Sequence, residues 1–279
     1  MADETSRRTS AIAYRGGVFA PSERTVPEEA AIAISVNGST HAVMMATPTQ
    51  VRDLAIGLAL NERIVTNLGE IERIDIEASE LGLDCRLWLS EARGATYVAR
   101  RRQMTGPVGC GLCGVESLEL ASRDLPAVGS GVTIAPSVIV SAMEAMSVRQ
   151  TLGEQTRAVH AAAFHHSDGQ HVVTREDVGR HNALDKVAGH LAEAGIDPAQ
   201  GFLTITSRVS VELIQKAAVM GVSLIAAVSA PTALAIRSAE GAGITLVAVV
   251  RGAEFEIFSH ARRVEGAIEA GAKEASHAA

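Results

Sequence analysis

Between residues 202 and 250 the chain alternates strand, helix, strand, helix and strand, with only a few residues between neighbours. The apolar runs at 202–206, 223–228 and 244–250 have the length of buried strands, and the segments 209–220 and 231–240 have the length of helices. Alternation of this kind argues for strands that are at least partly parallel. This half of the chain is therefore predicted to be a layered α/β domain. Aromatic residues make up 3% of the sequence against 47% hydrophobic, so its core must be built from Ala, Val, Leu and Ile.

The same pattern extends upstream. "APSVIVSAMEAM" predicts a helix, followed by strands near 158–164 and 171–174. A helix over 180–194 places Ala183, Leu184, Val187, Ala188 and Leu191 on one stripe. A short strand at 255–259 closes the domain. Before residue 125 the order is different. Residues 1–28 read as a loose arm, and "AIAISVNGSTHAVMMA" as a hairpin turning at Asn37-Gly38. "TPTQVRDLAIGLALNERI" reads as a helix opened by Thr47-Pro48, and strands are expected at 71–77 and 83–89. The nearest strand candidate before the glycines ends around Arg100, and residues 100–115, basic and then Gly-rich, read as a loop. The expected fold is α/β, α+β overall. A smaller N-terminal α+β domain spans 29–125, an α/β domain 126–265 and a tail 266–279.

A formal net charge of −7 argues against a nucleic-acid partner, because phosphate binding needs a basic surface. The first residues, "MADETSRRTSAIAYRG", have no apolar stretch or small-residue cleavage site of a secretory signal. Pro231 interrupts the most apolar run, which is too short for the ~20 residues a membrane helix needs. A soluble, cytoplasmic protein is expected.

The sequence holds three cysteines. In "LDCRLWL", Leu83, Cys85, Leu87 and Leu89 share one strand face, which makes Cys85 a small core residue. Cys110 and Cys113 are left as the pair able to act together, within "VGCGLCG". Gly109, Gly111 and Gly114 also spell G-x-G-x-x-G, but a dinucleotide loop needs a strand running into its first glycine and a long helix leaving its last. "RRQMTGPV" stands before it and Pro126 ends the short segment after it, so that reading is rejected.

Two cysteines supply half of a structural zinc site, and no second pair exists, although the nine histidines of the chain leave completion by imidazole open. A zinc deaminase needs H-x-E, and no histidine here is followed two residues later by Glu. A thioredoxin-like pair belongs at a helix N-terminus in a βαβ unit, which a glycine-laced loop fits poorly. A reactive thiol presented to a partner fits best. The glycines give backbone freedom, and Arg100, Arg101 and Arg102 just upstream favour a thiolate.

Three further stretches are densely polar. In "TREDVGRHNALDK", His181 with Asp185 and Asn182 with Lys186 stand four apart, and each pair is expected on a helix face away from the core. There Asp177 is a candidate cap, and Gly179 leaves room for a ligand. An ordinary solvated helix start explains that stretch by itself, although a helix N-terminus also suits an anion. "TSRVSVELIQKA" puts Ser207 and Arg208 at a strand end, and "VVRGAEFEIFSH" puts Arg251 and Gly252 at another. Strand ends of this kind are where ligands of α/β sheets lie.

Together, "GCGLCG", "REDVGRHNALDKV", "TSRVSVELIQKAAVMGV", "AVSAPTALAI" and "LVAVVRG" resemble the formate dehydrogenase accessory sulfurtransferase family, FdhD, over roughly residues 30 to 263. The "LNERI" of the N-terminal part stands where "SEGI" is more usual. The resemblance implies a cytidine-deaminase-like, three-layer C-terminal domain that lacks the zinc chemistry, with no stably bound metal of its own. It implies that Cys110 takes sulfur as a persulfide from a cysteine desulfurase. The recipient is the molybdenum (or tungsten) bis(molybdopterin guanine dinucleotide) cofactor, destined for the formate dehydrogenase catalytic subunit. Cys113 would resolve, protect or help release that persulfide. The cofactor is a bound substrate, GDP a partial mimic, and a homodimer is expected. The residues expected to meet it are Val249, Val250, Arg251, Gly252, Ala253 and Glu254, with Ser207 and Arg208. A cofactor-escorting chaperone and a dithiol oxidoreductase are the competing readings.

Overall fold

Two glycines answer for the first difference from expectation. In the computed structural model, which describes residues 5–101 and 125–267, β1 (Ser6–Arg15) and β2 (Val18–Pro27) pair as an antiparallel hairpin, where a loose arm was expected. Gly16 and Gly17, both at positive φ, supply the two-residue turn. Most of its side chains are exposed, including Ile12, Tyr14, Val18 and Phe19.

The next hairpin, β3 (Ala30–Val36) and β4 (Ser39–Ala46), turns as predicted at Asn37 and Gly38, with φ of 48° and 79°. Helix α1 (Val51–Asn61) begins later than Thr47-Pro48, after Gln50 turns left-handed. Strands β5 (Ile71–Ser79) and β6 (Gly82–Leu89) complete a four-stranded sheet of order β4-β3-β6-β5, in which β3 and β6 are parallel. Ile32, Ile34, Leu54, Leu58, Leu87 and Cys85 form its core, Cys85 facing inward as its alternation required. Where a strand was expected to end near Arg100, there is instead helix α2 (Glu91–Arg101). Gly94 and Tyr97, three apart, are buried, and that is the period of a helix.

The C-terminal half follows the predicted alternation. Helix α3 (Pro136–Ser147) and a short α4 (Thr151–Thr156), which was not foreseen, precede β7 (His160–His166) and β8 (His171–Asp177). Then come α5 (Arg180–Glu193), β9 (Gly201–Ile205), α6 (Val211–Met220), β10 (Leu224–Ala227), α7 (Ala233–Ala242), β11 (Thr245–Arg251) and β12 (Glu254–Ser259). The six strands lie in the order β12-β11-β10-β9-β7-β8, with β9, β10 and β11 parallel. Alternate residues divide between two faces. Phe164, Leu203, Ile225 and Leu246 pack under α5, α6 and α7. Ala163, Phe202, Leu224 and Val247 pack against Ile139, Met143 and Met146 of α3. Helices therefore cover both faces of this sheet, as parallel strands require.

Helix α1 lies between the four-stranded sheet and α5. Each of these two helices offers a glycine to the other. A Cβ on Gly57 would stand 1.8 Å from the Asp185 carbonyl oxygen, and one on Gly189 would stand 1.9 Å from that of Asp53. The halves are thus joined at backbone-to-backbone distance.

Candidate functional site

The parallel strands β9, β10 and β11 end on one edge of the six-stranded sheet, and the expected cofactor residues gather there. Ser207 follows β9; it is buried and donates its hydroxyl to the Arg208 carbonyl at 3.1 Å, while the Arg208 side chain is exposed. At the end of β11, Val249 sits at φ 56°, a left-handed conformation rare for a β-branched residue. The pairing with β12 shifts register there, between Ala248 and Arg251. Strain of this kind costs ~1–3 kcal/mol and collects at functional sites. Val250 turns into the core facing α3. Arg251 pairs with Glu254 across a tight turn of Gly252 and Ala253, and all four are exposed. The edge thus brings Arg208, Val249 and the 251–254 turn to one side of the molecule, and it directs the side chains of Ser207 and Val250 elsewhere.

Cys110, Cys113 and Arg102 lie outside the described residues. The chain leaves the N-terminal half at Arg101 and is described again from Leu125, which packs against the core under α5, α6 and α7.

The "TREDVGRHNALDK" stretch departs furthest from expectation. Its polar face was expected in solvent, but it is buried against the N-terminal half. Lys186 and Asp177 are fully buried and paired at 2.7 Å. Lys186 also donates to the Thr47 carbonyl, and the Thr47 amide donates to Asp177. Asp177 accepts from Gly179 and Asn182 as well, so it does serve the start of α5. Asn182 donates in addition to the Met45 carbonyl. Asp185 accepts from Lys216 of α6 at 2.7 and 2.8 Å and from Asn61 of α1 at 2.7 Å. Burial pushes the Asp185 carboxyl up while Lys216 and Asn61 oppose it, and burial pushes Lys186 down while Asp177 opposes it. Asp53 of α1 is bridged to Arg175 at 2.8 Å, and Arg175 donates to His190. The physical reason is the glycine contact. Because Gly57 and Gly189 let α1 approach so closely, the second face of α5 is covered too, and its charges find partners across the helix interface.

Sequence reading missed a second polar corner. His160 opens β7 opposite Asp177, while Arg180 and His181 open α5 and Ser210 and Glu212 open α6. Burial and the nearby Arg180 charge push His160 down. The only signal in the sequence was the placement of polar residues at two helix starts, which ordinary capping explains equally well. Among the described residues, no three His, Cys, Asp or Glu side chains gather as metal ligands. Nor is any described helix long and apolar enough to cross a membrane.

One sheet covered by helices on both faces, joined through a buried ionic seam to a smaller sheet, defines an α+β protein. The model of the FdhD/NarQ family matches residues 27–265. A protein of Agrobacterium fabrum named sulfur carrier protein FdhD is 49% identical over 259 residues, covering 92% of this chain and 96% of its own. A protein of the same name from Bordetella bronchiseptica is 41% identical over 258 residues, covering 92% and 94%. The crystal structure of a candidate formate dehydrogenase accessory protein from Desulfotalea psychrophila superposes with a TM-score of 0.73 at 21% identity, over 93% of this chain and 99% of that one. The chain belongs to the FdhD/NarQ family.

Proposed function

We propose that this protein is a sulfur carrier that serves formate dehydrogenase, with Cys110 as the carrying thiol. The observation that carries the reading is the near full-length identity to relatives named sulfur carrier proteins, in a chain that has one C-x-x-C pair. The proposed chemistry is thiol exchange. The Cys110 thiolate attacks the sulfane sulfur of a cysteine desulfurase persulfide, the desulfurase thiolate leaves, and Cys110 becomes the persulfide. Once the recipient is bound, attack of the Cys113 thiolate on the Cys110 sulfur closes a disulfide and expels hydrosulfide to it, with the two thiols supplying its electrons, and a cellular thiol reductant then restores the pair.

The recipient in this reading is the molybdenum or tungsten bis(molybdopterin guanine dinucleotide) cofactor, handled as substrate at the strand edge. Arg251 has the planar donor fork that suits a phosphate, and the exposed 251–254 turn lets backbone approach it. The strained Val249 supports a functional use of this edge, and the exposed apolar tip of the β1–β2 hairpin supports the homodimer.

The test pairs two measurements. Recipient formate dehydrogenase made with Cys110→Ala should be inactive, and calorimetry should show GDP binding that Arg251→Ala weakens at unchanged melting temperature. Activity with Cys110→Ala overturns the carrier role and favours a chaperone that only escorts the cofactor. Full GDP affinity after substitution of residues 249–254 removes that turn from the site.

A further inference from the structure

Where α5 and α6 begin, the polar atoms do not account for one another. Among the described residues seven buried side-chain atoms lack a hydrogen-bond partner, and four of them stand here: Arg180 Nε, His181 Nε2, Ser210 Oγ and Glu212 Oε2. Ser210 is 6% exposed and, at the N-cap of α6, makes no capping bond. Buried atoms left without partners are costly and few in native proteins. Four at one corner call for a group that bonds them.

The charge states narrow that group. Burial, with Arg180 and Lys216 close by, pushes the His181 imidazole down to about 4, so it is neutral at physiological pH. Burial raises the Glu212 carboxyl, but Ser210, the residue's own amide, His181 and Arg180 together hold it below its ordinary value. The Ser210 hydroxyl lies beside that carboxylate without forming a well-shaped bond to it. Lys216 is engaged by Asp185. The corner therefore presents one guanidinium donor, one carboxylate acceptor, a neutral imidazole and a hydroxyl. A bare phosphate would face the Glu212 carboxylate, and an apolar group would leave all four atoms unbonded. An edge with adjacent donors and an acceptor matches the two charged members, Glu212 and Arg180, and lies within reach of the polar atoms beside them. In a 2-amino lactam the ring N–H and the amine donate to a carboxylate, and the neighbouring carbonyl accepts from a guanidinium.

We propose that Arg180, His181, Ser210 and Glu212 form a binding site for the 2-amino-lactam edge of a guanine or pterin ring. The site stands on the same sheet edge as the 251–254 turn, so one cofactor would use both. It rests on the cofactor reading above and assigns its base contacts to different residues.

Calorimetric titration of the full chain with guanosine, inosine, 6-hydroxymethylpterin, GDP and pyrophosphate tests the assignment. Guanosine or the pterin should bind, and whichever does identifies the source of the edge. If guanosine binds, inosine, which lacks the amine, should bind at least tenfold more weakly. Glu212→Gln should weaken the bound probe at least tenfold, and Arg180→Lys should do the same in a variant that keeps its charge. Pyrophosphate binding should not change with Glu212→Gln. GDP binding that is indifferent to both substitutions overturns this site and leaves the cofactor reading standing. Equal affinity for inosine and guanosine in the unsubstituted protein, with no pterin binding, also overturns it, and needs no variant to fold. Absence of binding by GDP, guanosine and the pterin alike overturns both.

Discussion

At Gly57 a single methyl group decides whether α1 can lie on α5, because its nearest neighbour would be the Asp185 carbonyl at 1.8 Å. Backbone cannot yield as a side chain can, so Gly57→Ala should destabilise the protein by about 3 kcal/mol or more in urea unfolding. Lys186→Met should cost about 3–5 kcal/mol, because Asp177 would be left as a buried charge without its counter-ion. Arg251→Ala, at an exposed position, should stay within about 0.5 kcal/mol of the unsubstituted protein in the same assay. Cys85 is buried, and burial pushes its thiol up to about 12, so it is inert as a nucleophile. Cys85→Ala should cost about 1 kcal/mol and leave sulfur loading unchanged. Cys85 was legible in the sequence because strand alternation reports burial directly. The Lys186 and Asp185 partners were not. A polar helix face buried through ion pairs has the same pattern as one in water, and only the close approach of a second helix separates the two.

Elements whose hydrophobic period is undisturbed lie where the sequence placed them. The alternation from β9 to β11 is one case, and the hairpin at Asn37-Gly38, where turn chemistry and pattern agree, is another. Elements held by other forces were hidden. The β1–β2 hairpin has no buried stripe to advertise it, and α2 carries only a few apolar positions. The sheet face under α3 adds a titration that sequence could not reveal. His165 of β7 is fully buried, and its Nε2 donates to the Thr204 hydroxyl at 3.0 Å, which in turn donates to Met146 sulfur. Burial first, and then the His171 and Arg149 charges, push His165 down to about 4. Unfolding would restore an ordinary histidine near 6.5, so between those values the unfolded chain binds the extra proton. Stability should be complete above pH 6.5 and fall as pH drops toward 4, by at most ~1.4 kcal/mol per pH unit for each such histidine. His165→Gln should flatten that slope in chemical denaturation at stepped pH. An unchanged slope would place the proton uptake elsewhere, with His181 the next group to substitute.

At the scale of the molecule, two sheets are joined through α1 and α5, and residues 102–124, which include Cys110 and Cys113, connect the halves in sequence. The hairpin at the start contributes little to this body. Removing residues 1–27 should lower the melting temperature by no more than about 4 °C, the equivalent of roughly 1 kcal/mol in a chain of this size. The interface between the halves should govern unfolding instead, so Gly57→Ala and Lys186→Met should each lower the melting temperature by more than that truncation. The strand edge gathers the exposed Arg251 turn and the polar corner at α5 and α6, both on the half that carries the parallel strands. Sulfur loading of a thiol that reaches partners can be read without any cofactor. The full chain is incubated with a cysteine desulfurase and cysteine, then digested without reductant, and its cysteine peptides are weighed. The peptide carrying Cys110 should gain one sulfur atom, a gain retained in Cys113→Ala and absent in Cys110→Ala. Sulfur that appears only on Cys113 or Cys85, or on no cysteine at all, contradicts the carrier role of Cys110.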